Sequence, residues 1–124
     1  VTGFGLLGHL RNIVRGSAVD AAIEIAALPL LPGALDHARA GHIPGGSRSN
    51  LAFLRPMLRK VGEEDEIMTL IAADAQTSGG LLLCVEADDA PALCSALGER
   101  GLSAATVGTL LPRTSASGEI AVRY

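Results

Sequence analysis

The sequence predicts an α+β domain in which helices cover a mixed β-sheet. Three observations carry that expectation. Helical and strand-length segments alternate along the 124 residues. Leu81–Val85 is an unbroken apolar run, the pattern of a central strand buried on both faces. The last four segments read strand, helix, strand, strand, which helices on a mixed sheet accommodate most simply.

Residues 3–15 form the first expected helix. Leu6, Leu7, Leu10, Ile13 and Val14 fall on one stripe, and Arg11, Asn12 and Arg15 fall outside it. Thr2 is suited to cap that helix and Gly16 to stop it. Residues 20–27 read as a strand, with Ala22, Glu24 and Ala26 alternating with Ile23 and Ile25. Pro29 and Pro32 close it, and Pro32 suits the first turn of a short helix ending at Gly41. After a loop over 41–46, Ser47 is expected to cap a helix that breaks near Arg55, because Pro56 cannot continue it smoothly. Acidic residues at 63–66 offset the positive end of a helix expected over 64–73. A polar turn over 74–80 precedes the strand at 81–85. Asp88, Asp89 and Pro91 open another helix, which Gly101 ends. Residues 104–111 and 119–124 read as strands joined by a loop at 112–118.

Length and composition fit one domain, residues 1–124. With 48% hydrophobic residues the chain is too apolar to be disordered. No apolar stretch approaches the roughly 20 residues that cross a bilayer, so no membrane partner is expected. The net charge is −3 and the nine arginines are scattered, which argues against a nucleic-acid partner. Phe4, Phe53 and Tyr124 are the only aromatics, too few for a base-stacking platform. Cys84 and Cys94 are too few for a disulfide scaffold and too far apart for a Cys-x-x-Cys site. Both are expected to be small core residues. With no signal-peptide pattern at the start, a cytoplasmic setting is expected. The chain opens at Val1 with a dense motif and reads as a piece of a longer protein.

Three glycine-rich polar segments could carry chemistry. The first, Val1-Thr-Gly-Phe-Gly-Leu-Leu-Gly-His9, sets Gly3 and Gly5 at the start of the first helix. Leading helix amides lack internal partners, and glycine lets an anion approach them closely. Thr2 could bind the same anion or cap the helix, and the glycines could instead serve close packing. The second, Asp74-Ala-Gln-Thr-Ser-Gly-Gly80, could line a ligand cleft, help place a metal, or be a hydrogen-bonded turn. The third, Pro44-Gly-Gly-Ser-Arg-Ser-Asn50, could clamp a phosphate through Arg48 or be a loop before a capped helix. His9, His37 and His42 lack metal-ligand spacing, and His9 is expected to pack or to hydrogen-bond. No catalytic triad or carboxylate pair stands out.

Taken as words, these segments resemble the C-terminal domain of the selenophosphate synthetases (selenide, water dikinases). The resemblance lies in residues 1–9, Pro-Leu-Leu-Pro-Gly-Ala at 29–34, Pro-Gly-Gly-Ser-Arg-Ser-Asn-Leu-Ala at 44–52 and Gln-Thr-Ser-Gly-Gly-Leu-Leu at 76–82, in family order. It runs on to Val-Gly-Thr-Leu at 107–110. It implies the C-terminal-domain fold of the aminoimidazole ribonucleotide synthetase superfamily. It further implies an ATP-dependent phosphotransferase that makes selenophosphate from selenide, ATP and water, releasing AMP and phosphate. ATP and Mg²⁺ are the implied cofactors, with Thr2, Gly3 and Gly5 on the nucleotide side. The partners implied are selenide, ATP, the protein's own N-terminal domain and a second copy of the full-length chain.

Two departures stand out. In the family an Asp that binds metal precedes the Val that is Val1 here, and Ala75 replaces a family proline. The family's reactive Cys or selenocysteine belongs to the N-terminal half, and neither Cys84 nor Cys94 matches its position. The chain alone is therefore expected to be inactive, with no catalytic residue and no complete metal site of its own. Another ATP-dependent member of the superfamily and a non-catalytic interaction domain remain as alternatives.

Overall fold

The computed structural model describes residues 1–114, 116 and 118–124. Ser115 and Ser117, within the expected 112–118 loop, lie outside the described residues. The elements are α1 (Gly5–Gly16), β1 (Val19–Glu24), α2 (Ala34–Arg39), α3 (Gly45–Leu54), β2 (Leu58–Val61), α4 (Glu66–Ala72), α5 (Ala90–Gly98), β3 (Gly108–Pro112) and β4 (Ile120–Arg123). Short 3₁₀ turns follow β1 at Ile25–Ala27 and α3 at Arg55–Met57.

The four strands form one mixed sheet in the order β2-β4-β1-β3. β1 runs antiparallel to β3 and parallel to β4, and β4 runs parallel to β2. The α+β class and the mixed sheet read from the sequence therefore hold. The central strands are apolar throughout: Ala21, Ala22 and Ile23 of β1 and Ile120, Ala121 and Val122 of β4 are all buried. Ile23, Ile120 and Val122 join the core cluster beneath the helices.

α1 lays Leu7, Leu10 and Val14 into the core, the stripe its spacing predicts. Leu51 and Leu54 of α3 and Leu70 of α4 complete the same cluster. Full burial of such a side chain contributes about 1.5–3 kcal/mol, so this cluster fixes how α1, α3 and α4 sit on each other. Thr69 of α4 is buried and its hydroxyl bonds to the Tyr124 hydroxyl at 2.8 Å, which ties α4 to the chain after β4. No helix is long and apolar enough to cross a membrane among the described residues.

Several sequence expectations are corrected. β2 was not foreseen: Leu-Arg-Lys-Val is four residues long and lacks strict alternation. The strand expected over 20–27 ends at Glu24 and turns into a 3₁₀ segment. Ser47 does not cap α3, which begins two residues earlier, after Pro44.

The largest correction concerns Leu81–Val85, which is not a buried central strand. Leu81, Leu83 and Val85 are exposed, and residues 81–85 make no backbone hydrogen bond among the described residues. Leu82 alone packs partly against the core. An apolar run becomes a central strand only with a paired neighbour on each side. Here β4 and β1 already fill the centre, and β3 keeps a free edge. The cysteines follow suit: Cys84 is exposed and Cys94 half-buried, so neither is a core residue. α5 likewise has no fully buried residue.

Candidate functional site

The three glycine-rich segments, distant in sequence, converge at the start of α1. The opening segment runs alongside the 74–80 turn. The Val1 nitrogen donates to the Gly80 carbonyl at 2.7 Å, and the Gln76 N–H donates to the Thr2 carbonyl at 3.0 Å. The approach is close enough that a side chain on Gly79 would overlap the Val1 carbonyl. The start of α3 closes on the same turn, with Gly46 against Ala75.

Polar side chains lock the arrangement. Ser47 is fully buried, and its hydroxyl donates to one oxygen of Asp74. The other oxygen of that carboxylate accepts from the Gln76 amide at 2.9 Å. Hydrogen bonds to a charged partner contribute about 1.5–3 kcal/mol each, enough to fix the turn. The Asn50 amide donates to the Gly3 carbonyl at 2.9 Å and to the Ala73 carbonyl at 3.0 Å. The sequence marks Ser47 only as a helix cap and Asn50 only as the end of the 44–50 segment, and gives neither a role in joining the segments. The only signal was their place in a glycine-rich polar stretch beside two others.

The expected site residues separate. Gly3 is exposed, and a Cβ built on it would meet nothing within 4 Å. Thr2 is exposed too, but it does not cap the helix. Its N–H and its hydroxyl both contact His9 Nε2, at 3.1 and 2.9 Å. His9 thus hydrogen-bonds, as one of its two expected roles required. Gly5 is different. It is buried, its φ is +69°, and its N–H donates to the Thr2 carbonyl at 3.0 Å. A Cβ there would lie 2.5 Å from the Ala73 carbonyl carbon. Its amide is not bared to an anion; this glycine serves the close approach of α1 to α4. Arg48 is exposed on the first turn of α3 and makes no ion pair among the described residues.

Two surface depressions of about 440 and 300 Å³ lie elsewhere, beside Arg15 and Arg113 and beside Asp20 and Thr114. Arg15 is in the last turn of α1, so they lie at the helix end remote from the three segments. Asp20 is buried there and accepts from the Thr114 N–H and hydroxyl, both at 2.7 Å, and from the Glu119 N–H at 2.8 Å. The Thr114 bonds above all hold its carboxyl below the ordinary aspartate range. These bonds pin Thr114 and Glu119 to β1. The three converging segments, by contrast, form an open wall.

Residues 1–120 match the family of AIR synthase related proteins, C-terminal domain. The chain belongs to that family. Among similar proteins, one from Carboxydothermus hydrogenoformans named selenide, water dikinase is 38% identical over 123 residues. That alignment covers 99% of this chain and 35% of the relative. A protein of the same name from Escherichia coli strain K12 is 34% identical over the same share of both chains. A third, from Nitratidesulfovibrio vulgaris, is 40% identical over 111 residues, 90% of this chain and 32% of the relative. The chain thus spans about a third of the length of these relatives.

Proposed function

We propose that this domain is the C-terminal part of a selenide, water dikinase. In that role it forms one wall of the ATP site, and its N-terminal half supplies the rest. The full-length enzyme would convert selenide, ATP and water to selenophosphate, AMP and phosphate, acting as a homodimer. The observation that carries the reading is the convergence of residues 1–4, 44–50 and 74–80 on one open wall. The names of the relatives supply the reaction.

This chain's share of the chemistry is positioning. Phosphoryl transfer depends mainly on placing the phosphates and neutralising their charge. Gly3 offers a backbone that a phosphate can approach without steric hindrance. Thr2 flanks it with a hydroxyl held by His9, and Gly5 lets α1 seat tightly on α4 behind it. Arg48, on the adjoining helix start, is the nearby cation of the three segments.

A magnesium ion would supply charge neutralisation between the phosphates. Among the described residues no three His, Cys, Asp or Glu side chains gather as a metal set. Asp74, the acid within the wall, already accepts from Ser47 and Gln76. No step is therefore assigned to a metal held by this chain.

Calorimetric titration of the full-length polypeptide with ATP and Mg²⁺ tests the reading. Binding should be measurable, and Gly3→Ala should weaken it about 10- to 100-fold, the equivalent of one hydrogen bond to a charged group. Absence of binding, or an unchanged affinity in the variant, would remove the nucleotide role of this wall.

A further inference from the structure

The wall's parts come from three stretches of sequence, and one side chain on the second bonds to the first and to the residue just before the third. Asn50 lies on α3, half-buried, and donates from one nitrogen to Gly3 in the opening segment and to Ala73 at the end of α4. Both partners are carbonyl oxygens, so only the amide nitrogen, with its two hydrogens, can face them. The two bonds have ordinary lengths, 2.9 and 3.0 Å. Gly5 sits against the same Ala73 backbone, and Thr2 bonds to Gln76 just beyond it. Gly3 is therefore held on the Asn50 side through its own carbonyl, while its other surface stays open.

We propose that Asn50 is a positioning residue for nucleotide binding: it sets the Gly3 peptide against the 74–80 turn, so that the opening segment presents its backbone to phosphate. This rests on the reading of the wall as part of an ATP site. The chemistry makes a sharp demand on the side chain. Aspartate has the same shape but aims an oxygen at two carbonyl oxygens and cannot donate when ionised. Serine keeps one donor on a shorter arm. The peptide held by Asn50 grips phosphate in ground and transition states alike, so its displacement should act on binding rather than on the chemical step.

The test uses the full-length polypeptide carrying Asn50→Asp or Asn50→Ser, with steady-state AMP release measured against ATP concentration and the folded fraction measured by circular dichroism. Asn50→Asp should raise KM for ATP at least about tenfold with kcat per folded molecule changed less than about threefold, and Asn50→Ser should fall between it and the parent. A KM equal to the parent's in folded Asn50→Asp protein overturns the positioning role while leaving the ATP site intact. A parent protein that neither binds nor turns over ATP overturns the site itself. Should both variants fail to fold, the Asn50 side-chain amide in the parent decides. Its NMR signals should shift on adding ATP and Mg²⁺, and unmoved signals at saturation refute the proposal.

Discussion

Gly3 and Gly5 look alike in sequence and differ sharply in structure, which makes their alanine variants a paired test. Gly5→Ala forces a non-glycine residue to φ +69°, a left-handed conformation that costs about 1–2 kcal/mol. The new Cβ would also lie 2.5 Å from the Ala73 carbonyl carbon and 2.6 Å from its oxygen. These are backbone atoms, which cannot swing aside as a side-chain tip does. Forced overpacking of this kind costs about 1–3 kcal/mol. Together the two effects amount to about 2–5 kcal/mol, a large share of the 5–15 kcal/mol typical of a domain. Gly3→Ala meets nothing within 4 Å and should change stability by less than about 0.5 kcal/mol. Urea unfolding of the chain, followed by far-ultraviolet circular dichroism, reads both. A loss below about 1 kcal/mol in Gly5→Ala, or equal losses in the two variants, would refute the packing argument.

Further predictions concern the rest of the molecule. Asp20 has a lowered carboxyl pKa in the folded chain, so the folded state takes up its proton less readily than the unfolded one. Its stabilisation is complete above the unfolded carboxyl value of about 3.9 and is lost as pH falls from there through the folded value. Asp20→Asn should flatten that part of the acid-unfolding curve, and an unchanged curve would contradict the assigned bonds. Cys84, exposed on residues 81–85, should react with a thiol reagent in the native chain without prior unfolding. Protection until unfolding would show that this run is covered after all. The chain alone should unfold cooperatively and release no AMP from ATP in the presence of selenide; turnover by the isolated chain would contradict its role as one wall.

What the sequence made legible was local. The apolar spacing of Leu7, Leu10 and Val14 placed α1, and Pro56 placed the break after α3, because helix periodicity and proline sterics act within a few residues. β2 escaped notice because four residues carry too little periodicity. Leu81–Val85 misled because an apolar run reports what a segment can bury, not whether a neighbour is present to cover it. At the candidate site the three segments were legible as glycine-rich and polar, and their convergence was not. The bonds that join them link Asn50 to Gly3 and Ala73, and Ser47 to Asp74, across long stretches of chain. No local pattern separates the open glycine at position 3 from the packed one at position 5, since the difference lies in Ala73.

Backbone amide shifts recorded while the full-length polypeptide is titrated with ATP and Mg²⁺ bear most directly on the nucleotide wall. Thr2, Gly3 and Phe4 should move first and furthest in this domain, followed by residues of the 74–80 turn. Shifts gathered instead around Asp20 and Thr114, with residues 2–4 still, would contradict it.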